Sequence, residues 1–104
     1  MSEQNPEGTG VDERFFHRAD EYINVANEQI KIVPRSQVSA SMLFGTARFN
    51  AWLSATQFES AEALEKAKDQ VLDYFTNEYR QMLEENLKDY IKHYDQYIQP
   101  NPPE

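Results

Sequence analysis

Apolar side chains recur along this chain at helical spacing in three successive stretches, and no stretch alternates as a strand would. In the first, Phe15, Phe16, Ala19, Tyr22, Ile23, Ala26 and Ile30 fall on one face at about 100° per residue. Asp12 precedes this run as an N-cap, its carboxylate positioned to accept from an amide near Phe15. Pro34 closes the run by disfavouring helical geometry at Val33. The second stretch starts at Ser36 and runs to about Ala55. Its polar side is narrow (Ser39, Thr46, Asn50 and Ser54), and Arg48 is the single charge between Ser36 and Phe58. An arc of Val38, Met42, Phe44, Ala47, Phe49, Ala51, Trp52 and Leu53 covers most of the circumference, as in a helix packed on more than one side. Ser41 and Gly45 lie within that arc, small enough to admit a closely approaching helix.

The third stretch is long. Thr56 to Ser60 makes a turn with Ser60 as cap, and no glycine or proline follows until Pro100. A continuous helix of about 38 residues would reach about 57 Å, against about 30 Å for each of the others. Its apolar stripe also shifts phase. Leu64, Ala67, Val71, Phe75 and Met82 share one line, whereas Leu83, Leu87, Tyr90, Ile91, Tyr94 and Ile98 share another, rotated by about 110°. One straight helix cannot turn both lines toward the same neighbours. Either the chain breaks near Asn86 and folds back as a fourth helix, or the second line is buried against another subunit. The absence of any turn residue besides Asn86 favours the second alternative. The expectation is an all-α, three-helix bundle with a long C-terminal helix. Residues 12–98 form a single domain, flanked by a disordered leader (1–11) and a disordered Pro-rich tail (99–104).

Composition narrows the function classes. At 104 residues with 39% apolar side chains and a mean hydropathy of -0.81, the chain can build only a modest core. Six Tyr, six Phe and one Trp offset this through their large buried areas. The net charge of -8, with only ten Lys and Arg, argues against nucleic acid as a partner. Acids concentrate beyond residue 58, where eleven face five bases, mixed as on a solvated helix face. No cysteine is present, so thiolate metal sites, disulfides and thiol catalysis are excluded. No segment reads as a signal peptide or a membrane span, and a cytoplasmic location is expected.

Two charges interrupt apolar lines: Arg48 in the second helix and Glu78 in the third. They are expected to neutralise each other as a structural ion pair, since a buried unpaired charge would cost several kcal/mol. The alternative is a pocket in which Arg48, with Asn27 and Asn50, holds a small anionic ligand. The pairs Glu13/His17 and Asp89/His93 are spaced four apart, but they miss the Glu-x-x-His pattern of a di-metal bundle. His17 points to the polar side with Glu21, so surface pairing is expected, and neither a metal nor a cofactor. No nucleophile–base motif or glycine-rich phosphate loop occurs. The expected role is therefore non-enzymatic: a small interaction or accessory protein, homodimeric through Leu83, Leu87, Tyr90, Ile91, Tyr94 and Ile98, with a further protein partner as an option.

The run Phe16-His17-Arg18-Ala19-Asp20-Glu21-Tyr22-Ile23-Asn24-Val25-Ala26-Asn27 resembles the opening of a family of short proteobacterial proteins of unknown function. Val38-Ser39-Ala40-Ser41, Ala47-Arg48-Phe49-Asn50-Ala51, and Tyr74-Phe75 followed by Tyr79 extend the likeness over about residues 12 to 98. The resemblance implies a small helical bundle in a bacterial cytoplasm with no assigned activity, and it assigns no site residue.

Overall fold

The computed structural model describes residues 11–98, and every regular element among them is a helix. In chain order these are α1 (Phe15–Gln29), α2 (Arg35–Ala55), α3 (Ala61–Lys66), α4 (Lys68–Lys92) and α5 (Tyr94–Tyr97). The expected leader, but for Val11, and the expected tail lie outside the described residues. The chain divides into two units, Met1–Phe49 and Asn50–Glu104, with the division inside α2.

In the first unit, α1 begins two residues later than a direct Asp12 cap would allow. Asp12 instead closes a turn ahead of the helix. Its Oδ1 accepts from the Arg14 amide at 2.8 Å, and its carbonyl accepts from the Phe15 amide at 3.0 Å. The other carboxylate oxygen takes a hydrogen bond from Arg18 at 3.1 Å. This bond, followed by the one from the Arg14 amide, holds the Asp12 carboxyl below its ordinary value of 3.8. At the far end the helix stops at Gln29, and the amides of Ile32 and Val33 both turn back to the Gln29 carbonyl. Pro34 then serves the start of α2, its carbonyl accepting from Gln37 and Val38 at 3.0 and 3.3 Å. Ala26 and Val38 are the buried apolar residues of this unit, while Phe16, Tyr22, Met42 and Phe44 stay exposed. Among the described residues, nothing lies within 4 Å of a Cβ built on Gly45.

In the second unit, the Ser54 hydroxyl is buried and donates to the Asn50 carbonyl one turn back at 2.8 Å. Thr56 does the same to Leu53 at 2.6 Å as α2 ends. Ser60 caps α3 as its sequence context requires: its backbone is extended and its Oγ accepts from the Ala63 amide at 3.0 Å.

The expected continuous third helix is corrected by two interruptions. At Ala67 the backbone shifts to φ -95°, ψ 2°, yet its amide still reaches Ala63 and its carbonyl still accepts from Val71. At His93, φ -115° and ψ 34° end α4 and begin the single turn of α5. The break considered near Asn86 is absent. Asn86 lies inside α4, and its side-chain amide donates to the Met82 carbonyl at 2.8 Å, a bond compatible with an unbroken helix. The phase shift of the apolar line thus occurs along one helix, α4, and not across a turn.

Candidate interaction surface

α4 presents its two apolar lines very differently. Val71, Phe75 and Glu78 are half-buried, as are Leu64 and Ala67 just before the helix, while Met82 at the end of this line is exposed. The six positions expected to form an interface are all exposed, from 43% at Leu83 to 74% at Ile91. Leu83, Leu87, Tyr90 and Ile91 lie within about one quarter of the helix circumference, and of these Tyr90 meets α5 through the Tyr97 ring. Tyr94 and Ile98 follow the turn at His93 and remain exposed.

A polar cluster edges this surface. The Asp89 carboxylate meets His93 Nδ1 at 3.1 Å through one oxygen and accepts from the Tyr97 hydroxyl at 3.0 Å through the other. The Tyr97 ring also lies 4.7 Å from that of Tyr90, centroid to centroid, and 5.8 Å from the His93 imidazole. α5 is thereby folded onto the last turns of α4. The hydrogen bond to Asp89, with the charge of the same carboxylate behind it, pushes the Tyr97 phenol above its ordinary value of 10.0. The spacing of Asp89 and His93 is visible in the sequence, but the part played by Tyr97 is not. Eight residues separate it from Asp89, and an interruption of the helix intervenes.

The other candidate residues are placed as follows. Arg48 is exposed on α2, its guanidinium carbon 5.0 Å from the centroid of the Phe44 ring one turn earlier, a cation–π contact within a single helix. Asn27 is exposed on α1. Asn50 is half-buried on α2, where its carbonyl receives the Ser54 hydroxyl. Glu78 is half-buried on α4. Arg48 and Asn27 belong to the first unit, Asn50 and Glu78 to the second. His17 pairs with Glu21 at 3.5 Å on the surface of α1, as its position on the polar side implies. Among the described residues, no three His, Cys, Asp or Glu side chains come together as metal ligands. No helix of the described residues is long and apolar enough to cross a membrane.

Comparison with known proteins agrees with the helical architecture. The NMR structure of the protein NB7890A from Shewanella sp is similar at a TM-score of 0.71 and 36% sequence identity, over 86% of this chain and 95% of that one. No curated protein matches the chain. A family described as "Protein of unknown function (DUF3144)" matches residues 15–91, which takes in α1, α2, α3 and nearly all of α4. With most of its length matched, the chain belongs to this family of proteins of unknown function.

Proposed function

We propose that this protein is a non-enzymatic interaction module whose principal partner is a second copy of itself, bound through the exposed line of α4 and α5. The observation that carries the proposal is the contrast along α4. The line through Val71 and Phe75 is half-covered within the chain, while Leu83, Leu87, Tyr90, Ile91, Tyr94 and Ile98 stand in solvent. Leaving an apolar face of that extent exposed forgoes about 25 cal/mol for each Å² that association would cover. Tyrosine suits such a face, since its ring can be buried while its hydroxyl stays wet. The acidic surplus on the remaining surface keeps the face selective, because like charges discourage indiscriminate contacts. A bacterial cytoplasm is the setting we propose, and no nucleic acid or cofactor enters the proposal.

The test is the solution mass by light scattering on a size-exclusion column. The wild-type protein is expected to elute with twice the chain mass, and the Leu87→Glu/Tyr94→Glu double variant with the mass of one chain. Circular dichroism should show that the variant keeps its helices. A wild type that remains a single chain at all concentrations would overturn the proposal and leave the face for a different protein.

A further inference from the structure

Self-association through α4 can run the two helices parallel or antiparallel, and the charges beside the apolar line distinguish the two. At about 100° per residue, Arg80, Glu84 and Lys88 descend one flank of the Leu83–Leu87–Ile91 line. The opposite flank carries Met82, Asn86 and Tyr90. There the Asn86 side-chain amide donates to the Met82 carbonyl within the same chain. A two-fold axis that makes the helices antiparallel sets each flank against the same flank of the second copy. A two-fold axis parallel to the helices sets it against the opposite flank.

With an antiparallel axis at Leu87, Leu83 comes level with Ile91 of the second copy. Glu84 then lies within about 3 Å of axial rise of Lys88 of the second copy, a gap that their side chains span. The reciprocal pair forms on the other side of the axis. In the parallel arrangement Arg80, Glu84 and Lys88 face the uncharged Met82, Asn86 and Tyr90, and this complementarity is lost.

The area is also sufficient. Tyr90, Tyr94 and Tyr97 keep 46%, 56% and 48% of their surface, about 300 Å² together at about 200 Å² per side chain. Leu83, Leu87, Ile91 and Ile98 offer a comparable amount. Leu72 and Tyr79, also exposed, continue the same line toward the start of α4. The total approaches the roughly 800 Å² per partner of a stable interface. We propose that two copies pair antiparallel through α4, with the two-fold axis beside Leu87 and Glu84–Lys88 ion pairs repeated on either side of it. This rests on the self-association proposed above and adds its direction and register.

The chain contains no cysteine, so a single introduced thiol reports on its own surroundings. Under mild oxidation Leu87→Cys is expected to cross-link to itself. Leu83→Cys alone should not, whereas Leu83→Cys mixed with Ile91→Cys should form a mixed disulfide. An independent readout uses the flank. Glu84→Lys and Lys88→Glu should each weaken the dimer several-fold, and an equimolar mixture of the two variants should recover a mixed dimer of wild-type strength. A wild-type dimer in which Leu83→Cys cross-links to itself as readily as Leu87→Cys would overturn the antiparallel arrangement while leaving self-association intact. A dimer in which neither Leu87→Cys nor the mixture cross-links would overturn the register. A wild-type protein that stays a single chain by light scattering would instead remove the reading on which the inference rests.

Discussion

At the scale of single residues, the cluster at the end of α4 shows how one carboxylate organises a helix end. Asp89 serves two partners, and only Tyr97 brings its ring back over Tyr90. The neutral phenol is the form that donates to Asp89, so the shift of Tyr97 is upward. A group whose pKa is raised on folding contributes stability below its ordinary value and loses that contribution as the pH climbs through the raised one. The attachment of α5 is therefore expected to persist through neutral pH and to weaken in alkali, above 10.0. In an NMR titration following the Tyr97 ring, Asp89→Ala should lower the midpoint. An unchanged midpoint would mean that the hydrogen bond does not form in solution. This cluster was only partly legible in the chain. The spacing of Asp89 and His93 announced a shared helix face, but the bond to Tyr97 depends on the turn at His93, which no glycine or proline marks.

Among elements, legibility followed the range of the interaction that sets each boundary. Ser60 acts within a few residues of itself, and α3 starts where that residue places it, whereas α2 begins at Arg35, one residue ahead of the expected start at Ser36. Ser60→Ala should cost about 1 kcal/mol of helix stability by removal of the Oγ acceptor for the Ala63 amide. Thermal unfolding followed by circular dichroism measures this, and a midpoint equal to wild type would show the cap to be dispensable. Neither Ala67 nor His93 is a glycine or proline, and the long third run reads as continuous for that reason. Asn86 gave a false turn signal. Asparagine marks turns because its side chain competes for backbone partners. Here that competition is met inside the helix by the Met82 carbonyl, and α4 continues for six residues beyond it. The phase shift between the two apolar lines was visible from side-chain spacing alone, because it needs no knowledge of what lies opposite. Spacing alone did not single out the contact of Arg48 with Phe44, one turn earlier on its own helix.

For the whole molecule, the helical class and family membership are evident, and the proposed association makes stability a property of more than one chain. If the line from Leu83 to Ile98 is covered only on pairing, folding and binding share one free energy, and dilution draws on it. The midpoint of thermal unfolding is accordingly expected to rise with protein concentration, and to lose that dependence in Leu87→Glu/Tyr94→Glu. A midpoint constant over a hundredfold range of concentration would indicate a fold complete in a single chain.

The single tryptophan adds an optical consequence. Trp52 sits near the end of α2 with 59% of its surface open. An indole in contact with water emits at long wavelength, and one that loses that contact emits toward the blue. The native chain thus carries on α2 a single tryptophan, whose emission can be excited apart from that of the six tyrosines. The colour of its emission reports, without any label, whether that helix acquires a cover when molecules meet.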